Sequence, residues 1–144
     1  MMQKSKNSKG LTLVELVMVI VIIGVLAAFA VPRFRDAVER SKASEAFNYL
    51  AAVRASMERY HARQGTYADK MAQLDIKMTV PEYFTVGTIA CGTTGSLKDS
   101  WTLTLTRSGV TGSFGPYTVT FTEEGFDATK STIAALPDIN PIAT

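Results

Sequence analysis

Lys9-Gly10-Leu11-Thr12-Leu13-Val14-Glu15, followed without a break by LVMVIVIIGVLAAFAV over residues 16–31, is the stretch from which the rest of the chain is read. Residues 16–31 carry no charge. With residues 11–14 they approach the roughly 20 apolar residues that a helix needs to cross a bilayer. Lys4, Lys6 and Lys9 stand in front of the run. Basic flanks stay on the cytoplasmic side, so the expectation is a single pass through the membrane with a short cytoplasmic N-terminus. Glu15 breaks the apolar pattern. A carboxylate in a membrane helix costs roughly 2.5 to 3.5 kcal/mol at the bilayer centre and less near an interface. Glu15 therefore needs a partner.

Beyond Pro32 the character changes. Phe34, Val38, Phe47, Leu50, Val53, Met57 and Tyr60 recur mainly at helical spacings, which predicts one apolar stripe of an amphipathic helix. Arg33, Arg35, Asp36, Glu39, Arg40, Lys42, Glu45, Arg54, Glu58, Arg59 and Arg63 lie between them as a mixed-sign face, read as solvated. Gly65 is the natural C-terminal cap. A helix over residues 11–64 would be on the order of 80 Å long, and its first half has nothing in this chain to pack against.

The remainder reads as strands. After a loop with a short helix at 69–74, alternating runs appear at 83–90, 101–107 and 117–122. In the latter two, Trp101, Leu103, Leu105 and Tyr117, Val119, Phe121 fall at period two with Thr between them, the pattern of half-buried antiparallel strands. Gly92, Gly95, Gly109, Gly112 and Gly115 mark turns, and Pro116 suits the start of a strand. The sheet is expected to lay its apolar face on the helix's second half, because a few strands alone bury too little to be stable. After Gly125 no period is evident, and the tail with Pro137 and Pro141 reads as extended loop or frayed end.

At 144 residues the chain holds one modest core. Its net charge of +2 gives no reason to require nucleic acid as a partner. Removing residues 1–10 would take three lysines and leave 12 basic against 13 acidic side chains, or −1. The only cysteine, Cys91, has no internal partner and reads as a buried thiol.

At Gly10, Leu11, Glu15, Gly24 and Pro32 the sequence resembles the type IV pilin and type II secretion pseudopilin family. That family has a basic leader ending in Gly, a hydrophobic first mature residue, a Glu at the fifth and a proline near the twenty-second. Its usual first residue is Phe, so Leu11 is a departure. Gly65-Thr66-Tyr67-Ala68 with Leu74-Asp75-Ile76 looks like the loop that follows the helix in many pilins. The resemblance implies an α+β fold with a long N-terminal helix packed on a small antiparallel sheet. It divides the chain into a leader (1–10), a hydrophobic assembly half-helix (11–32), an amphipathic half-helix (33–64), and a loop, sheet and tail (65–144). It further implies cleavage at Gly10-Leu11 and methylation of the Leu11 amine by a prepilin peptidase, an inner-membrane assembly platform, and a helical homopolymer as the product. The product would be a pilus; the alternative is a periplasmic secretion pseudopilin.

The residues supply a mechanism for that expectation. Gly10 offers a protease unobstructed backbone, and cutting there leaves a cationic amine at the head of an apolar helix. If neighbouring subunits are offset by about four residues, near 6 Å along a helix, Glu15 of one meets the Leu11 amine of the next. The bland alternative is a Glu at the interface that contacts its own N-terminus. Gly24 and Pro32 both loosen a helix and are expected to permit a kink or a locally melted stretch.

Other functions fit less well. Ala28-Phe29-Ala30 follows a basic and an apolar region as in a signal peptide, but the run begins with a charge and an amphipathic helix continues past the supposed cut. His61, the only histidine, has no Ser or Cys motif beside it, so an enzyme is not expected. Asp99, Glu123, Glu124 and Asp127 do not have EF-hand spacing, and neither a cofactor nor a metal is implied. Asp99-Ser100-Trp101 and Gly115-Pro116-Tyr117 only echo the pseudopilin calcium motif. The aromatics along the helix, Phe29 and Phe34 to Tyr67, read as packing groups rather than an electron path.

Overall fold

The computed structural model describes residues 11–109 and 114–143. Helix α1 spans Leu13–Gln64. It is followed by a 3₁₀ turn at Met71–Gln73 and strands β1 (Phe84–Val86), β2 (Ala90–Cys91), β3 (Trp101–Arg107), β4 (Thr118–Thr122) and β5 (Gly125–Phe126), with a second 3₁₀ turn at Thr132–Ala135. The chain divides into two units between Arg35 and Asp36, and each is taken by itself.

In the second unit the sheet has the order β1-β3-β4-β5, all antiparallel, with β2 joining β1 on the same edge of β3. The expected alternation is what buries it. Trp101, Leu103 and Leu105 of β3 and Val119 and Phe121 of β4 meet Ala43, Ala46, Phe47, Leu50, Val53 and Met57 of α1 in one core. Phe47 stands edge-on to Phe121 at 5.8 Å and packs on Phe126 at 5.0 Å. The predicted stripe thus holds from Phe47 to Met57, but Val38 remains 37% exposed. Ala43 and Ala46, too small to mark a stripe, are fully buried because they let the sheet approach the helix closely.

Helix α1 ends as anticipated. Gly65 takes φ +72°, its N–H bonding to the His61 carbonyl at 2.8 Å. Behind it, Asp75 ties the following loop back to the helix. It accepts from Arg59 Nη2 at 2.8 Å and from the Ser56 hydroxyl, while its own N–H donates to Ser56 Oγ at 3.0 Å. These donors hold its carboxyl well below the usual range. At Gly92 the need for glycine is space, since a Cβ there would lie 2.8 Å from Ser100 Oγ. Gly112 lies outside the described residues.

Three expectations are corrected. The tail beyond Phe126 is loop and turn but not frayed: β5 pairs Phe126 with Phe121, and Ile133 and Ile139 are fully buried. It also closes the free edge of β4. The N–H groups of Thr118 and Thr120 donate to the Thr132 and Ser131 hydroxyls at 2.7 and 2.9 Å, and Asp127 N–H donates to the Thr120 carbonyl at 2.9 Å. Side chains stand in for a neighbouring strand, a device invisible to periodicity. Cys91 is exposed rather than buried, because β2 is a two-residue edge strand whose two residues are both exposed. Glu39 is buried rather than solvated. Its carboxylate accepts from Arg107 Nε at 2.6 Å, Arg107 Nη2 at 3.2 Å and the Tyr117 hydroxyl at 2.9 Å, joining α1 to β3 and to the residue before β4. Burial opposes its charge, but Arg107 and Tyr117 outweigh that and keep its pKa below the ordinary value.

Candidate assembly site at the helix start

The first unit contains the apolar half of α1. Every large apolar side chain from Leu11 to Phe34 is exposed, Leu13 at 77% and Phe29 at 74%. The segment is long and apolar enough to cross a membrane, and within it nothing is buried. Soluble helices keep such residues inside. This surface has to be covered by something outside the folded subunit.

At its start the chain builds a capping box. Thr12 is the residue before the helix, and its N–H and hydroxyl donate to Glu15 Oε2 at 2.8 and 2.7 Å. In return the Glu15 N–H donates to the Thr12 hydroxyl at 3.3 Å. Leu16 N–H closes the first helical turn on the Thr12 carbonyl at 3.2 Å. Both Thr12 donors fall on one carboxylate oxygen. Among the described residues Oε1 receives no hydrogen bond, so half of the acceptor capacity of Glu15 remains open. Thr-x-x-Glu ahead of an apolar run is a readable signature that reasoning about membrane cost alone passed over.

Of the other sequence-selected positions, Leu11 lies exposed immediately before the box. Gly10, the expected cleavage residue, lies outside the described residues. A Cβ placed on Gly24 would find nothing within 4 Å, so this glycine is not required by packing inside one subunit. Pro32 sits inside α1, whose helical span continues through it. Thr12 and Glu15 are joined at the helix start, with Leu11 next in sequence before them; Gly24 and Pro32 are separate features further along.

The protein class set by these features is an α+β domain carried on a long, exposed apolar N-terminal helix with one carboxylate near its start. A family model described as the prokaryotic N-terminal methylation motif matches residues 5–31. The chain is similar to the fimbrial protein EcpC of Eikenella corrodens, 37% identical over 106 residues that cover 72% of this chain and 69% of that protein. It is also similar to the type IV major pilin protein PilA of Myxococcus xanthus (strain DK1622), 40% identical over 63 residues, 44% of this chain and 29% of that one. A third relative is the type IV major fimbrial protein FimA of Dichelobacter nodosus, 57% identical over 37 residues, 26% of this chain and 23% of that one. No solved structure matches significantly. The chain belongs to the type IV pilin family. That is a family of structural subunits, not enzymes.

Proposed function

We propose that the chain is the precursor of a type IV pilus subunit, cleaved after Gly10 by a prepilin peptidase, methylated on the Leu11 amine, and polymerised through α1. The observation that carries this reading is Glu15: a lone carboxylate on an apolar helix, with one oxygen held by Thr12 and the other open. Before assembly the helix spans the inner membrane with its N-terminus cytoplasmic, and an assembly platform draws it out. In the filament, apolar side chains of neighbouring helices cover one another and supply most of the cohesion. Glu15 Oε1 takes the Leu11 amine of a neighbour offset by about four residues, near 6 Å. The internal cap does not compete with this pairing, because the two use different oxygens. It lowers the cost of the unassembled carboxylate while leaving an acceptor for the partner.

Gly24 and Pro32 fit the same scheme. A glycine that no packing requires and a proline in mid-helix are both places where a long helix yields, so a bend there lets each helix follow its neighbours. The fimbrial and pilin names of the relatives favour a pilus over a secretion pseudopilin. Mass spectrometry of the N-terminus of the chain purified from a cell containing the peptidase tests the processing. A chain beginning at methylated Leu11 is expected; one beginning at Val31 would make the segment an ordinary signal peptide.

A further inference from the structure

The end of the apolar half-helix opposite Glu15 carries a second chemical feature. The helical residues 13–31 cover about 28 Å at helical rise, close to the roughly 30 Å hydrocarbon thickness of a bilayer. Arg33 and Arg35 follow at about 3 and 6 Å beyond the last apolar residue, which is the depth of the lipid phosphates. Both are exposed, with Phe34 exposed between them. Two residues apart on a helix means about 200° around it, so the guanidinium groups leave on opposite sides and reach different lipids.

Neither arginine has an acid in its own unit to neutralise it. The only carboxylate in residues 1–35 is Glu15, about 27 Å away along the helix. The acid placed four residues after Arg35 is Glu39, and it is already committed to Arg107, Tyr117 and Lys42. Asp36 is half-buried next door and leaves residues 33–36 with a net positive charge. Arginine's planar fork matches a phosphate with two parallel hydrogen bonds. The aliphatic stems and Phe34 meanwhile suit the boundary between headgroup and acyl chain.

We propose that Arg33 and Arg35 form a two-sided clamp for anionic lipid phosphates in the leaflet facing the globular domain, and that it fixes the depth of the unassembled subunit in the membrane. The inference rests on the membrane-spanning reading above. Leader removal strips Lys4, Lys6 and Lys9 from the other face of the membrane, so the lipid hold of the processed subunit passes to this clamp. Extraction into a filament then has to break it.

The test places the full chain in phosphatidylcholine vesicles and measures its association with spin-labelled phosphatidylglycerol relative to spin-labelled phosphatidylcholine. The wild-type chain prefers phosphatidylglycerol, and the Arg33→Gln/Arg35→Gln double variant loses roughly three- to fivefold of that preference. Arg33→Lys/Arg35→Lys keeps part of it. A charge-matched Lys77→Gln/Lys98→Gln control, altered at two exposed lysines of the globular unit, keeps all of it. An unchanged preference in the double glutamine variant overturns the clamp. If that variant keeps its lipid preference but forms no filaments, the arginines serve an acidic neighbour subunit and the lipid role is wrong. A carbonate wash of the same vesicles separates the two layers of the argument. Release of the wild-type chain defeats the spanning reading itself, whereas retention with an unchanged preference defeats only the clamp.

Discussion

Helix α1 has two halves that answer opposite questions. Between Ala43 and Met57 the side chains facing the sheet are buried to 9% exposure or less, and their identities are set by what lies opposite them in the same chain. Between Leu13 and Val31 the side chains are at least as apolar, yet all are exposed, and the side-chain hydrogen bonds found there among the described residues are those of a self-made cap. One helix thus carries a finished interface and an unfinished one. Apolar content alone does not distinguish them. The distinction lies in periodicity: the second half alternates apolar and charged faces, whereas the first is apolar all round, as a helix surrounded on every side has to be.

The contrast makes ranked predictions. Leu50→Ala, at a fully buried site, should destabilise the globular unit by about 2 to 5 kcal/mol, read as a fall in the melting temperature of the full chain in detergent. Ile22→Ala, the same kind of truncation in the first half, should leave that melting temperature unchanged, and an equal fall would erase the distinction. Glu39→Gln should cost about 2 kcal/mol, because it removes the charge that Arg107 and Tyr117 are built around. A double-mutant cycle with Arg107→Met should show strong coupling.

Acid acts on the second half as well. The folded pKa values of Glu39, Asp75 and Asp127 are all lowered by their donors. A lowered folded pKa contributes stability that is present above the unfolded value and lost as pH falls through the folded one. The globular unit should therefore keep its melting temperature from neutral pH down to the ordinary carboxylate range, and lose it progressively below. Arg107→Met should flatten the share of that loss belonging to Glu39. At the start of the helix the effect is smaller. Thr12→Ala removes the cap at about 1 kcal/mol, visible as faster amide hydrogen exchange over the first turn of α1 with no change in melting of the globular unit. Smallest of all, Phe34→Ala should change stability by under about 0.5 kcal/mol, since Phe34 is 70% exposed.

Much of this architecture is legible in the sequence, for reasons that the exceptions make plain. Strands β3 and β4 were readable because Trp101, Leu103 and Leu105 repeat at period two against Thr. Ile133 and Ile139 are not, because they stand in a turn-rich tail with no apolar period, and nothing local tells a tethered segment from a loose one. Their burial depends on Ser131 and Thr132 hydroxyls reaching the edge of β4, a contact between segments that no window of sequence contains. Glu39 is hidden for a related reason: on its own helix it looks like one more solvated charge, and only β3 brings Arg107 to it. At the helix start Glu15 stood out as a charge in an apolar run, but the Thr12 cap changes what that charge needs. It already has half its partners and lacks one.

The central claim is that the open oxygen of Glu15 serves the polymer rather than the fold. The measurement that tests it most directly compares filament yield, membrane retention and melting temperature of the wild-type chain and Glu15→Ala in the same cells. The account predicts that filaments are lost while retention and melting are unchanged. Filaments formed by Glu15→Ala at wild-type yield would contradict it, leaving Glu15 as a helix cap and nothing more.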